Sequence, residues 1–490
     1  MYVKKIVNTL KKRGLSDTLS VISDRLKYKR ASVKYSNFVS EKDELYHFEL
    51  TQTKGKDVLI SICVPVYNPK PEHFNAMLES VLLQSYDNWQ LCIADAGTEG
   101  YAQKEVERCN DERISYRKLE GNHGIAINTN MAVEMAKGEY VVLLDHDDIL
   151  ALDCLYEFKS AVNRGVDFIY ADESSFYKDP RRPEITHFKG SFSFFNLLGN
   201  NYICHPVCFK KELFQNVGGF RKGFEGSQDH DLFIRMCQEA KTRVHIPKVL
   251  YYWRIHKSSV AYDIEAKPYC VESGIKAVRE YTEKNKLEAR VKETGPNPIY
   301  SVVYEPKKEY ELIRDITDIE YVKAPYVIYA KKGVKISEED RTYLAGVLSN
   351  EEAGVVAPLV SCKGKIQSAG LVVGSGRIFN ACYGKRVSSR GYMHILEFTH
   401  NVTAVNSCVF AMRSSLIKKV GGFDETLSEQ ERVTDMCLRL REFGKASLIV
   451  PYVKAEYKLE KNVSISFLFA KKWKRKLSGK DKWLREEIYG

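Results

Sequence analysis

Four residues, Asp145-His146-Asp147-Asp148, follow directly on the apolar run Tyr140-Val141-Val142-Leu143-Leu144. Such a run reads as a buried parallel strand, and its carboxyl end is where open α/β sheets place ligands. Carboxylates crowded at that point repel one another unless a cation stands between them. A hard divalent ion shared with a substrate's phosphates suits oxygen ligands of this kind. A solvated acidic turn leading into the next helix is the other reading of the same residues. A second acidic set, Gln228-Asp229-His230-Asp231, follows glycines at 218, 219, 223 and 226 and precedes the helical run Leu232, Phe233, Arg235, Met236. A helix N-terminus needs one acid, whereas two acids behind a bent glycine loop suit close approach to a ligand. His256, after the apolar segment 245–255, is either a metal ligand or a surface histidine.

Groups this far apart in sequence need a scaffold that gathers them. The apolar segment 58–65 reads as a buried strand ended by Pro65, and Phe74, Met77, Leu78, Val81 and Leu82 have helical spacing. Trp89 to Ala94 predicts a second strand ending at Asp95. The loop Gly121-Asn122-His123-Gly124 leads into a helix over about 125–136 and then into the strand before Asp145. Strands alternating with helices imply an α/β fold with a mostly parallel, doubly wound sheet. Asp95 and Asp145 then lie on the same side of it.

The chain also repeats itself. Val217-Gly218-Gly219-Phe220 recurs as Val420-Gly421-Gly422-Phe423, Asp231 with Arg235 recurs as Asp435 with Arg439, and Tyr140-Val141 matches Tyr326-Val327. Two copies of one fold are the simplest account. They are chemically unequal, because Asp145, Asp147 and Asp229 are replaced by Lys331, Gly333 and Val433. Gly374-Ser375-Gly376 lacks the third glycine of a dinucleotide fingerprint, and nothing nearby completes a metal site around His394, Glu397 and His400; both read as structural.

The 490 residues suffice for two or three domains, and 44% hydrophobic with 28% charged residues is a globular composition. The net charge of +11 sits at the ends: residues 1–40 hold ten Lys/Arg against two acids, and residues 461–490 hold nine against three. A near-neutral body excludes a basic nucleic-acid-binding core. Tyr2, Val3, Ile6, Val7 and Leu10 at one end, and Phe467, Leu468, Phe469, Trp473 and Leu477 at the other, mix with basic residues. Such stretches suit an anionic membrane surface, solvated ends being the alternative. No run is long enough to span a membrane and no signal peptide is evident, so a cytosolic protein at the inner membrane face is expected. The twelve cysteines, without a CxxC pair, are expected as reduced thiols, and the sequons at Asn401 and Asn462 as unused.

With these residues in view, the chain resembles the family 2 glycosyltransferases. The resemblance is carried by Val64-Pro65-Val66-Tyr67-Asn68, Leu83-Gln84-Ser85-Tyr86, Ile93-Ala94-Asp95, Asn122-His123-Gly124-Ile125-Ala126 with Asn128, Asp145-His146-Asp147-Asp148, Gly218-Gly219-Phe220, Gln228-Asp229-His230-Asp231 and Tyr252-Trp253-Arg254-Ile255-His256. It implies a GT-A (Rossmann-like) domain followed by a second, degenerate GT-A-like α/β domain. The expected layout is a basic helical arm over 1–57, a catalytic domain over 58–290, the degenerate domain over 291–460 and a basic amphipathic tail over 461–490. The resemblance further implies that Pro65, Tyr67 and Asp95 hold the nucleotide and that Asn122, Gly124 and Asn128 line the nucleotide-sugar pocket. Asp145 and Asp147 would form the DxD motif that binds Mg²⁺ or Mn²⁺, with His256 as an additional contact. Asp229 would be the base, with Asp231 as fallback. Ala96 departs from the family, many of whose members carry a base-reading acid there. The implied reaction is inverting transfer from a UDP-sugar, or alternatively a dTDP-sugar, to a glycan or lipid-linked oligosaccharide in bacterial surface polysaccharide synthesis. A homo-oligomer is compatible with this reading, and a non-catalytic glycan-binding scaffold is the competing one.

Overall fold

The computed structural model describes residues 18–19, 21–32, 57–256, 268–294, 298–374, 377–477 and 488. The amphipathic face expected over residues 2–10 lies outside these. Strand β1 (Ile60–Val66) is buried along its whole length, because it pairs in parallel with β2 (Trp89–Asp95) on one side and β4 (Tyr140–Leu143) on the other. Helix α1 (Pro71–Leu82) buries Phe74, Met77, Leu78 and Val81, the face its spacing predicted. After α2 (Tyr101–Cys109) comes β3 (Ile114–Lys118), parallel to β2. Helix α3 (Ile125–Glu134) then crosses to β4. Val66 is level with Asp95 in the register, and β4 ends just before Asp145, so both acids sit at the carboxyl edge of the sheet.

Beyond β4 the sheet is mixed rather than parallel. After β5 (Ile149–Leu150) and α4 (Cys154–Val162) come β6 (Phe168–Phe176) and β7 (Ile185–His187). Helix α5 (Phe194–Gly199) leads to β8 (Val207–Lys210), and α6 (Lys211–Asn216) and α7 (Gln228–Glu239) lead to β9 (Arg243–Arg254). The strand order is β3-β2-β1-β4-β8-β6-β9-β5, with β8 antiparallel to both its neighbours. Its four residues return through an irregular stretch that carries no strand periodicity, so the reversal left no mark in the sequence. The resulting sheet, parallel at the half that carries Asp95 and Asp145 and mixed beyond, is that of a GT-A domain.

Helix α8 (Pro268–Lys284) packs on α7, and the hairpin β10 (Ala289–Glu293) and β11 (Tyr300–Tyr304) leads to the second sheet. That sheet is built from β12 (Tyr310–Ile313), β13 (Tyr326–Ala330), β14 (Ala353–Cys362), β15 (Lys365–Ser368), β18 (His400–Asn401), β19 (Val409–Arg413) and β20 (Ala446–Glu456), with α9 (Glu338–Val347) between β13 and β14 and α10 (Ser414–Lys419) after β19. Beside it stands a small sheet of β16 (Leu371–Gly374), β17 (Arg377–Asn380) and β21 (Asn462–Ser464). The run β12-β13-β19-β14-β20 pairs parallel, antiparallel, antiparallel, parallel, the pattern of β1-β4-β8-β6-β9, and β15 flanks β14 as β7 flanks β6. The repeat seen in sequence is therefore a repeat of topology. Among the described residues the second copy lacks partners equivalent to β2 and β3, the half that carries Asp95.

The repeated motif has a mechanical reason. Gly218 and Gly219 (φ +78° and +65°), like Gly421 and Gly422 (+86° and +70°), turn the chain through the left-handed region. Arg235 on α7 clamps that turn by donating to the carbonyls of Val217 (2.7 Å) and Gly219 (2.8 Å), while Asp231, one helical turn earlier, holds the guanidinium at 2.6 Å. In the second copy, on α11 (Glu429–Glu442), Arg439 clamps Val420 and Gly422 and is held by Asp435 at 2.7 Å. Replacing Arg235 by Ala would leave a buried carboxylate short of a partner and two carbonyls unpaired. The expected loss is about 3 kcal/mol of stability, read from urea denaturation. A loss below about 1 kcal/mol would show the clamp to be dispensable.

All twelve cysteines are unpaired thiols, as expected. Among the described residues no helix is long and apolar enough to cross a membrane. The basic helix α12 (Phe467–Leu477) uses part of its apolar face internally: Phe469 and Trp473 are buried, and the Trp473 indole donates to Asp435 at 2.9 Å. Phe467 and Leu468 remain exposed.

Candidate active site

A cleft of about 770 Å³ opens at the carboxyl edge of the first sheet. Pro65, Tyr67, Asn122, Gly124 and Asn128 line one side, and Asp145, Asp147, Asp229 and His256 line it with them. Five elements place these groups: the end of β1, the loop before α3 with that helix's first turn, the end of β4, the first turn of α7 and the end of β9.

The acidic cluster is tight. One ligand oxygen from each of Asp145, Asp147 and Asp148 lies within 4.8 Å of the others. The three are not equivalent. Asp148 is buried and its oxygens are taken, one accepting from the Tyr251 hydroxyl and the other from the Arg254 N–H, each at 2.7 Å. It braces β9 against the acidic turn. Asp147 meets His256 Nε2 at 2.5 Å, and Arg254 Nε donates to the Asp147 carbonyl at 2.8 Å. Burial raises the Asp145 carboxyl above its ordinary value and the neighbouring Asp147 adds to the shift, while His205 at 3.8 Å opposes it. The Asp145 carboxyl, disfavoured as an anion by burial, and a second carboxylate within 4.8 Å of it form a donor set that a hard divalent cation fits. Asp145 and Asp147 would hold it; His256, expected as an additional metal contact, lines the cleft with its Nε2 bonded to the Asp147 carboxylate and is not among the acids that cluster within 4.8 Å.

The loop Asn122–Asn128 is braced by its own side chains. Asn122 Oδ1 accepts from the Gly124 N–H (3.0 Å) and from Asn128 Nδ2 (2.9 Å), and Gly124 has φ +86°. Tyr67 is half exposed beside it. His146 turns back toward the Pro65 carbonyl at 3.2 Å, tying the acidic turn to β1.

Two of the expected site residues do not line the cleft. Asp95 is buried, and its carboxylate accepts from the Gly97 N–H and the Tyr116 hydroxyl, each at 2.7 Å, with Lys118 at 3.4 Å. It shapes the Asn68–Gly97 crossing, where a Cβ on Gly97 would lie 2.9 Å from Asn68. Asp231 is turned into the protein between Arg221 and Arg235. Its recurrence as Asp435 in a copy without the acidic cluster already suited a structural part better than a catalytic one.

Asp229 differs from Asp231 in surroundings although both sit in the first turn of α7. Burial pushes its carboxyl up to about 6, and the nearby Asp145 charge adds to the effect while His205 counters it. That value suits a group that must take up a proton near neutral pH.

Several lining groups escaped the sequence reading. Glu173 on β6 is buried and holds both His187 and His205 at 3.0 Å, with Lys189 at 3.8 Å. These partners keep its carboxyl well below the usual range despite burial. His205 stacks on Tyr251 with ring centres 4.8 Å apart, and its pKa is raised to about 9, the bond to Glu173 outweighing burial. Asp172-Glu173 follows the apolar Phe168-Ile169-Tyr170-Ala171 as Asp145 follows its own run, so the same sequence signal was present, although β6 continues through these acids to Phe176. Nothing comparable marks His205.

The family model described as glycosyl transferase family 2 matches residues 61–216. The chain is 28% identical to y4gI of Sinorhizobium fredii over 83% of its own length and 54% of that protein. It is 28% identical to RfbC of Myxococcus xanthus, an O-antigen biosynthesis protein, over 50% of its length and 20% of that protein. It is 30% identical to WcaA of Escherichia coli, named for colanic acid biosynthesis, over 37% of its length and 67% of that protein. The chain thus spans about half of y4gI and a fifth of RfbC.

Proposed function

Given that the chain belongs to glycosyl transferase family 2, we propose that its cleft transfers a sugar from a nucleotide-diphosphate sugar to a glycan hydroxyl with inversion, assisted by Mg²⁺ or Mn²⁺. The observation that carries this reading is that Asp145, Asp147 and Asp229, remote in sequence, line one cleft with the Asn122–Asn128 loop. A UDP-sugar is the favoured donor and a dTDP-sugar the alternative. The acceptor is a glycan, plausibly lipid-linked, of a bacterial surface polysaccharide. The names of RfbC and WcaA support that class of product.

In the proposed reaction the acceptor oxygen attacks the anomeric carbon as the bond to the diphosphate oxygen breaks, through an oxocarbenium-like state. Asp229 takes the hydroxyl proton, and the electron pair of the broken bond leaves on the diphosphate. Asp145 and Asp147 would hold a divalent cation, which when bound would offset the negative charge growing on the leaving group. Asn122 and Asn128 fix the loop against which the nucleotide-sugar rests. Asp148 and Arg254 keep the acidic turn rigid.

Calorimetry with UDP, with and without Mn²⁺, tests the reading: metal-dependent binding is expected, and its absence would favour a scaffold. A pH profile tests the base. With Asp229 at about 6, turnover falls roughly tenfold per pH unit below that value, since protonation removes the acceptor of the proton. A profile flat from pH 7 to 4.5 would contradict it.

The protein is placed by this reading in the cytoplasm, at the inner face of the membrane. Exposed Phe467 and Leu468 on the basic helix α12 are the described groups that support surface contact. Replacing both by Ser is expected to reduce flotation with anionic vesicles several-fold, and unchanged flotation would remove α12 from that role.

A further inference from the structure

His205, two residues before β8, lines the cleft and takes no part in the chemistry set out above. Its ring is fixed from several directions. Nδ1 bonds Glu173 Oε2 at 3.0 Å, and the ring stacks on Tyr251. Glu173 is held in turn through its other oxygen by His187 at 3.0 Å. The buried Lys189 ammonium donates to the carbonyls of Ile203 and His205. Those bonds brace the backbone at Cys204, whose φ of 38° is uncommon in a residue with a Cβ. Nε2 is left over. The Asp145 carboxylate stands 3.8 Å from it, too far for a hydrogen bond, and 25% of the His205 side chain stays exposed. Nε2 is not among the polar atoms that are both unpartnered and sealed from solvent, so a group in the cleft can reach it.

The second unit separates scaffold from function at this point. The strand registers set Glu173, His187 and Tyr251 level with Val360, Ser368 and Ala455. Counting back from the aligned strands β8 and β19 sets His205 level with Cys408. The arginine clamp persists in both copies, as a structural brace should. The Glu173–His205 arrangement is absent from the copy that lacks the acidic cluster, so it goes with the chemistry. Its location fits that association. The reacting carbon of a donor must lie between a diphosphate held at Asp145 and Asp147 and an acceptor hydroxyl at Asp229. His205 is within electrostatic reach of both Asp145 and Asp229. A sugar hydroxyl both donates and accepts, so it can bond Nε2 whether the ring is neutral or charged.

We propose that His205 is a specificity-determining residue for the donor: its Nε2 bonds a ring hydroxyl of the transferred sugar, with Glu173 and Tyr251 as the positioning residues behind it. The proposal rests on reading the cleft as a transferase site.

Calorimetry on the full chain with Mn²⁺ tests it, using UDP, dTDP, UDP-glucose, UDP-galactose, UDP-N-acetylglucosamine and dTDP-rhamnose as probes, followed by the monodeoxy analogues of the sugar nucleotide that binds tightest. His205→Asn keeps an amide where Nδ1 meets Glu173 and removes Nε2, whereas His205→Leu removes both. Each variant should bind that sugar nucleotide about fivefold or more weaker than the wild type, while His205→Asn binds the parent nucleotide within about twofold. The wild type should bind one monodeoxy analogue about fivefold or more weaker than its parent, a loss that His205→Asn does not show. A purely structural role would not produce that cancellation. The proposal is overturned if the wild type binds a nucleotide with Mn²⁺ but none of the sugar nucleotides, or if both variants bind them as the wild type does. It is equally overturned if the nucleotide affinity of His205→Asn falls in parallel, or if that variant discriminates among the deoxy analogues as the wild type does. Failure of the wild type to bind either nucleotide with Mn²⁺ overturns the transferase reading itself, and this proposal with it.

Discussion

Replacing Asp229 by Asn lowers turnover by about a hundredfold or more and leaves the affinity for nucleotide nearly unchanged. The substitution keeps the shape of the side chain and one acceptor oxygen, turns the other into an NH2 donor, and removes the charge and the ability to take a proton. Asp229 stands in the first turn of α7, whereas the groups proposed to face the nucleotide come from β1, the loop before α3 and the end of β4. Ground-state binding of the nucleotide therefore does not depend on its charge. The neighbouring Asp231→Asn gives the opposite pattern: its carboxylate is locked between Arg221 and Arg235, so stability falls while the folded enzyme turns over. Turnover of the Asp229 variant within a few-fold of wild type would remove it as the base.

Replacing Asp145 and Asp147 together by Asn weakens Mn²⁺-dependent UDP binding by about a hundredfold. Both oxygen sets that face the cleft lose their charge, while Asp148 remains committed to Tyr251 and Arg254 and cannot substitute. The second unit shows the outcome of such a change in the same topology. With Lys331 where Asp145 would be, charge is balanced by an ion pair with Glu429 and no cation is needed. Titration calorimetry of the double variant checks the expectation. Affinity within a few-fold of wild type would mean that the cation, if bound, sits elsewhere.

The parts of the molecule that were legible in the sequence are those in which one element states its own role. An apolar run ending in acids has few structural solutions, so β4 and the carboxylates at its end could be read directly. Val-Gly-Gly-Phe recurring with an Asp–Arg pair marked the second copy, because a left-handed glycine turn clamped by an arginine needs those residue types at that spacing. The illegible parts depend on contacts between distant segments. Asp231 resembles Asp229 in sequence, and only the clamp on Gly219 separates their roles. Asp95 ends its strand as a ligand-binding acid would, yet Tyr116 and Lys118 occupy its carboxylate. The antiparallel β8 and the Glu173–His205 pair arise from tertiary placement with no local period. Trp473 in the basic tail looked like a membrane anchor, but its indole is spent on Asp435 in the second unit's core.

The proposed chemistry requires that Asp145 and Asp147 hold a divalent cation beside the diphosphate of the donor. Anomalous diffraction from crystals soaked with Mn²⁺ and UDP tests it most directly. A manganese peak bonded to Asp147 and to the diphosphate oxygens, with the base ring near Tyr67, is the predicted result. UDP absent from the cleft, or manganese bound away from Asp145 and Asp147, would contradict the account.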